Sequence, residues 1–150
     1  MEFVKEKNIC IRKFKYSDLF DVVNIEYSVF KEYEHFGLYD FHFYHKYYPS
    51  CFLVAQNLKT KKIIGYVIFT PYGHIISIAV DRKYQHTGVG RRLLLKAFSI
   101  SRRVWLEVDE HNKKAINFYK HLGFRERKIV QNYYKEGENA IIMEKILNKF

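Results

Sequence analysis

The stretch "IISIAVDRKYQHTGVGRRLLLKAF" (residues 75–98) runs from a β-branched apolar segment through two glycines into a leucine-rich segment. Its first six residues have strand character. Leu93, Leu94, Ala97, Phe98 and Ile100 recur at helical spacing, so a helix is expected from Gly88 to about Ser101. A helix beginning at such a turn leaves its first amide N–H groups without partners inside the helix. Those amides and the helix dipole attract an anion, glycines let it approach the backbone, and Arg91 and Arg92 add positive charge. The pattern G-x-G alone fits a helix start as well as a phosphate cradle. It is not the dinucleotide pattern G-x-G-x-x-G, because Leu93 stands where the third glycine belongs, and it lacks the lysine and serine of a triphosphatase loop.

Upstream, residues 63–80 carry no formally charged side chain, a length that would suit a membrane span. Pro71 and Gly73 interrupt it, so "IIGYVIF" (63–69) and "GHIISIAV" (73–80) read as a hairpin instead. "CFLVAQN" (51–57) and "NICIRKF" (8–14) read as further strands. Ser17 is placed to cap a helix whose stripe is Leu19, Val22, Val23, Tyr27 and Phe30. Residues 33–48, rich in aromatics and histidine, read as a loop and a short helix. Downstream, "RVWLEVD" (103–109) is a strand, and Asn112 caps a helix carrying Ala115, Ile116, Tyr119 and Leu122 that Gly123 ends. "FRERKIVQNYY" and "AIIMEKIL" close the chain as strands joined by "KEGEN". Consecutive strands require antiparallel pairs, while the strand–helix–strand unit at 74–108 requires a parallel one. The expected fold is one α/β (α+β) domain over residues 1–150 with a mixed, mostly antiparallel sheet.

Composition limits the function. Hydrophobic residues make up 48% of the 150, enough for one buried core. Between Arg82 and Lys128 lie thirteen basic residues against four acidic ones, nine of the ten surplus positive charges of the chain. Such a field attracts nucleic acid, a phosphorylated cofactor or an acidic partner. A solvated basic surface explains any single residue equally well. No stacking aromatics interleave with the arginines, so no specific nucleic-acid motif is recognised. Cys10 and Cys51 lack metal spacing and suit reduced, packed thiols; His35, His42 and His45 are scattered among aromatics, and no metal is expected. The start, "MEFVKEK", has no signal-peptide core, so a cytoplasmic location is expected, without a membrane partner.

Glu107 lies inside "VWLEV", where burying an unpaired carboxylate is expensive. Strand alternation puts it on one face with Trp105, opposite Val104, Leu106 and Val108. A structural ion pair would explain it, as would a role in proton transfer. Tyr119 on an amphipathic helix reads by itself as a core residue.

Taken together, "IAVDRKYQHTGVGRRLL" resembles the acetyl-CoA-binding signature of the GNAT acyltransferase superfamily, Q/R-x-x-G-x-G/A, through Gln85, Gly88 and Gly90. "WLEVDEHNKKAINFYKHLGF" and "NYYKEGENAIIME" resemble the branch that acetylates protein N-termini, typified by the ribosomal-protein-alanine N-acetyltransferase. The matching residues are Leu106-Glu107-Val108, Asn112, Ala115, Tyr119, Gly123-Phe124, Tyr133-Tyr134, Glu138, Ala140 and Met143. The chain departs from that pattern at Arg82, where proline is usual, at Asn139, where aspartate is usual, and in a shorter helix after Gly88. Residues 30–48 match it poorly.

The resemblance implies a seven-stranded sheet flanked by about four helices, with the fourth and fifth strands splayed around the pantetheine arm. Ile78, Ala79 and Val80 would contact acetyl-CoA through the main chain. The amides of Gln85, His86, Thr87, Gly88, Val89 and Gly90 would hold its pyrophosphate beside Arg91, and Asn112 would reach the cofactor. Glu107 would be the general base acting through water. Tyr119 would be the general acid that protonates or holds the departing thiolate. Phe30, His74 and, on the loop between the last two strands, Tyr133 and Tyr134 would meet the acceptor, with His74 assisting the base. The acceptor implied is the α-amino group of a protein or peptide, with a ribosomal protein as an example, and the enzyme would be a monomer or weak dimer. An N-terminal amine titrates near ~8 and a lysine amine near ~10.4, so at neutral pH the former costs ~3 kcal/mol less to deprotonate. A lysine or small-molecule amine acetyltransferase, and a non-catalytic module binding coenzyme A or nucleic acid, stay open beside this reading.

Overall fold

The computed structural model describes residues 6–30 and 36–147. In chain order the elements are β1 (Ile9–Lys13), α1 (Leu19–Val29), α2 (Leu38–Tyr47), β2 (Phe52–Asn57), β3 (Ile63–Phe69), β4 (Ile75–Val80), α3 (Val89–Phe98), β5 (Arg103–Asp109), α4 (Lys113–His121), β6 (Arg125–Lys135) and β7 (Glu138–Ile146). The seven strands divide into a four-stranded sheet, β1-β2-β3-β4, and a three-stranded one, β5-β7-β6, antiparallel within each. Among the described residues a single parallel bridge runs between them, His74 with Trp105. There the Trp105 amide donates to the Gly73 carbonyl at 3.0 Å. Beyond that point β4 and β5 separate, which is the splay expected at the parallel unit.

Alternation along the strands supplies apolar side chains to both faces. On one face α3 and α4 cover a core of Val67, Phe69, Ile75, Leu93, Leu94, Phe98, Val104, Leu106, Tyr119, Phe124 and Met143. On the other, α1 and α2 cover Val22, Ile25, Phe41, Phe52, Val54, Tyr66, Ile68 and Ala79. The helix of α3 is shorter than the stripe suggested, ending at Phe98 rather than near Ser101.

The start of α1 differs from the sequence expectation. Ser17 does not cap it; Tyr16–Asp18 form a 3₁₀ turn, and Asp18 stands at the N-cap position of α1. The Asp18 carboxylate accepts the Lys15 amide at 2.8 Å and both guanidinium nitrogens of Arg12, at 2.7 and 2.8 Å. A charged acceptor satisfying three donors outcompetes a serine hydroxyl one residue earlier. Burial works against the ionised form, but these bonds hold the Asp18 carboxyl below its ordinary range.

One buried carboxyl lies between α1 and the sheet. Glu26, 1% exposed, accepts the Phe36 amide on Oε1 at 2.7 Å and pairs through Oε2 with the Tyr66 hydroxyl. Tyr66 reaches Ser77 of β4 at 3.1 Å. Burial pushes the Glu26 carboxyl up to about 7 from 4.5, against the Phe36 amide bond and with help from the Asp40 charge on α2. A carboxyl that binds its proton more tightly folded than unfolded contributes stability fully present below about 4.5 and lost as pH rises through about 7. The unfolding midpoint of the wild-type chain should therefore fall between those two pH values by an amount that Glu26→Gln does not lose.

Gly73 is tied to the bridge sterically as well. Its φ is +96°, and a Cβ there would lie 1.8 Å from the Arg103 carbonyl oxygen. Gly73→Ala is expected to cost about 3 kcal/mol or more in urea unfolding. Gly137→Ala, where a Cβ meets nothing within 4 Å at φ +78°, should cost only about 1 kcal/mol.

Candidate active site

The pairing of β3 with β4 skips a residue between Ile68↔Ser77 and Phe69↔Ile75, so β4 bulges at its start. After the bulge Ile78 and Val80 pack toward α3, while Ala79 packs toward α1. Ile78, Ala79 and Val80 pair with Val67, Tyr66 and Gly65 of β3 on one edge. Their other edge faces the opening toward β5. One main-chain group there is already engaged, since the Val80 carbonyl accepts the Gln85 side-chain amide at 3.1 Å.

The glycine turn follows directly. His86 at φ +66° and Gly88 at φ +89° both occupy the left-handed region and curl the loop into the first turn of α3. The helix ladder begins with Arg92 N–H donating to the Gly88 carbonyl at 3.1 Å, which leaves the amides before it at the helix end. The two glycines serve different ends. A Cβ on Gly88 would meet no atom within 4 Å, so the space an anion needs is open there. A Cβ on Gly90 would meet Phe118 Cζ of α4 at 3.3 Å, so its missing side chain admits α4 instead. Val89 is buried in the core and offers only its amide. Thr87 donates its hydroxyl to the Tyr84 carbonyl. Gln85 Oε1 accepts Lys114 Nζ at 3.4 Å. Arg91 is exposed beside the turn, whereas Arg92 reaches back to the Ile9 carbonyl at 3.2 Å. Asn112 caps α4, its side chain accepting the Ala115 amide at 3.1 Å. Open amides, an exposed arginine and a left-handed glycine form a cradle that fits a diphosphate.

At the mouth of the splay the structure brings together His74, Trp105 and Glu107. His74 Nε2 lies 2.8 Å from Glu107 Oε2, with side-chain exposures of 27% and 17%. The His74 ring stacks on Trp105 with centroids 5.1 Å apart and 3° between planes. Glu107 is therefore paired and half-buried, on the face opposite Leu106 and Val108. Tyr133 belongs to the same group: burial raises its hydroxyl above the ordinary range, and the Glu107 charge adds to that. Its ring meets Tyr134 edge-on at 4.9 Å.

These tyrosines lie within β6 rather than in a loop after it, where the register with β7 shifts between Val130 and Lys135 and Asn132 takes φ +56°. The hairpin is latched to the end of β5 by Asn139. Its Oδ1 accepts the Asn132 amide at 2.9 Å and its Nδ2 donates to Glu110 Oε1 at 3.1 Å.

Tyr119 lies on the other face. It is 8% exposed among Phe118 and Phe124, and burial raises its hydroxyl well above the ordinary tyrosine range. Tyr119 and Glu107 thus lie on opposite faces of the sheet. Phe30 caps the C-terminus of α1 and packs against the α1–α2 core. His42 pairs with the Tyr16 hydroxyl at 2.6 Å and His45 packs on Phe14 and Tyr16; His35 lies outside the described residues. Among the described residues no three metal-ligating side chains gather, and no helix is long and apolar enough to cross a membrane.

Two features escape a reading of the sequence. Glu26 is legible in principle: with Val22, Ile25 and Val29 it occupies a core-facing i, i+3, i+4, i+7 stripe, where a carboxylate signals a buried partner. The pairing of Glu144 with Arg103 and Arg127, both at 2.7 Å, is not, because it joins three strands. The bonds from Arg103 and then Arg127 hold the Glu144 carboxyl below its ordinary range.

The sequence pattern of the acetyltransferase (GNAT) family matches residues 16–124. The chain belongs to the GNAT acetyltransferase family, whose members use acetyl-CoA as acetyl donor. It is 31% identical to an N-alpha-acetyltransferase of Sulfurisphaera tokodaii over 95% of this chain and 98% of that one. It is 38% identical to the Escherichia coli [ribosomal protein bS18]-alanine N-acetyltransferase, over 61% and 68% of the two chains. Among solved structures, Ard1 from Thermoplasma volcanium superposes with a TM-score of 0.82 at 26% identity, covering 95% and 99% of the chains. Naa20 of Chaetomium thermophilum, in complex with a bisubstrate analogue, gives 0.80 at 26%, covering 92% and 86%.

The Asn139 latch makes a direct prediction. Asn139→Asp sets two carboxylates against each other where an amide now donates, and should cost about 1 kcal/mol in urea unfolding. Glu110→Gln added to that variant should restore it, because the glutamine amide then donates to the carboxylate introduced opposite it.

Proposed function

We propose that the protein transfers the acetyl group of acetyl-CoA to the α-amino group of a peptide or protein N-terminus. The observation that carries this reading is the His74–Glu107 pair on Trp105, set at the separation of β4 and β5 with Tyr133 beside it. Its closeness to N-alpha-acetyltransferases along almost the whole chain supports the same acceptor.

The residues that would hold acetyl-CoA are those of the β4 edge, Ile78 to Val80, and of the turn, Gln85 to Gly90, with Arg91 and the α4 cap residue Asn112 alongside. When bound it supplies an activated thioester carbonyl. Glu107, relayed by water and oriented by His74, takes the proton of the acceptor amine as its nitrogen forms the new C–N bond. Tyr119, kept protonated by burial, gives its proton to sulfur as the C–S bond breaks, or holds the thiolate by a hydrogen bond. Proton acceptor and donor thus act from opposite faces of the sheet. Tyr133 and Tyr134 bound the acceptor's main chain on the β6–β7 side, and Phe30 lines its first side chain. An N-terminal amine needs only a modest base, which a single carboxylate supplies. Ribosomal proteins are acceptors to include, given the bS18-alanine enzyme among the relatives.

Acetyl-CoA incubated with peptides varying in their first two residues should release coenzyme A with free N-termini and not with blocked ones. Glu107→Gln should lower kcat by about 10²-fold or more, with His74→Gln a smaller loss. Turnover confined to free lysine or polyamines, or undiminished in Glu107→Gln, would overturn the reading.

A further inference from the structure

Glu26 is a buried acid that the proton transfers above do not use. Its carboxylate accepts the amide of Phe36 at 2.7 Å, while its main-chain carbonyl makes the last-turn helix bond with the amide of Phe30 at 3.0 Å. Phe36 is therefore tied by this side chain to the end of α1 where Phe30 stands. The side chains of Phe30 and Phe36 pack on the same core, as does that of Ile76 of β4. Phe36 makes edge contact with Phe41 at 5.9 Å, and Phe41 meets Tyr66 edge-on at 5.7 Å. The second carboxylate oxygen continues through the Tyr66 hydroxyl of β3 to Ser77 Oγ of β4. Ser77 directly precedes Ile78, where the edge facing the strand opening begins.

We propose that Glu26 is a positioning residue for the acceptor: its carboxylate holds Phe36, which packs on the same core as Phe30, at a fixed distance from β4, and so sets the pocket for the acceptor's first side chain. This rests on the reading of Phe30 as an acceptor residue. The carboxylate suits the task because two oxygens on one stem reach a main-chain donor on one side and a phenol on the other. Neither an apolar side chain nor a hydroxyl on a single carbon spans that distance. The interior position matters equally. A buried amide without its acceptor costs free energy, so the Phe36 segment has no comparable alternative seat once the carboxylate is gone.

The test uses the full chain, acetyl-CoA and the peptide with the highest turnover in the panel above. Glu26→Met keeps the side-chain length and removes both acceptors. It should raise the acceptor KM tenfold or more while the acetyl-CoA KM stays within twofold. Glu26→Gln should restore the acceptor KM to within threefold of wild type, because its carbonyl accepts the Phe36 amide and its NH₂ donates to Tyr66. Should Glu26→Met fail to fold, Glu26→Asp keeps the carboxyl group but falls short of Phe36 and should give the same KM rise. A hundredfold loss of kcat in Glu26→Gln at unchanged KM would overturn the proposal in favour of proton transfer, and an unchanged acceptor KM in Glu26→Met would refute it. Hydrogen exchange at the Phe36 amide separates this from the function itself: it should quicken at least tenfold in Glu26→Met and not in Glu26→Gln, even if no N-terminal peptide is turned over.

Discussion

The Trp105 amide donates to the Gly73 carbonyl, and at this point alone among the described residues the two sheets are bridged. One hydrogen bond here does what a full ladder would prevent. It fixes the relative position of β4 and β5 at their start and leaves their remaining edges unpaired. Unpaired strand edges are normally a liability, open to association with any other extended chain. Here the opening lies between two covered faces, with α3 and α4 on one side and α1 and α2 on the other. An extended molecule can therefore enter only along the gap. Gly73 makes the bridge possible by having no Cβ to meet Arg103, and the bulge in β4 then turns the residues that follow.

The position of each polar group follows from this opening. His74 belongs to the bridge itself and Glu107 lies two residues beyond Trp105, so the bridge and the stacking on the indole bring together an imidazole and a carboxylate that are 33 residues apart in the chain. Tyr119 is set in the core of the other face, where α4 is held by Ile116 and by Phe118, which occupies the space that Gly90 leaves. The glycine turn lies at the far end of β4, one turn of chain beyond Val80. Thus a single strand, β4, sets the spacing between the His74–Glu107 pair and the start of α3.

Much of this is legible along the chain. The apolar strand before Gly88-Val-Gly90, the alternation in "RVWLEVD" and the capping role of Asn112 rest on nearest neighbours, and each has the geometry that local rules require. The sequence pattern starts α1 one residue early, because the competing acceptor, Asp18, owes its advantage to Arg12 on a different element. It also puts Tyr133 and Tyr134 in a loop, whereas the register shift opposite β7 keeps them in an extended strand with a left-handed residue before them. The partner of Glu26 cannot be read from α1 at all. Its helical position indicates burial, but Tyr66 lies 40 residues away.

The sequence by itself determined the elements, their order and the family motifs, since strand alternation, helical stripes, caps and glycine turns are set by residues within a few positions of one another. It also determined that Glu107 must have a partner, because an unpaired carboxylate in such a strand is too costly to keep. Only the tertiary structure decided who that partner is, that Gly90 serves packing while the space at Gly88 stays open, and that the Glu26 carboxylate joins the Phe36 amide to Tyr66. Those choices depend on distances between segments far apart in the chain, and such distances exist only once the two cores have closed around the sheet.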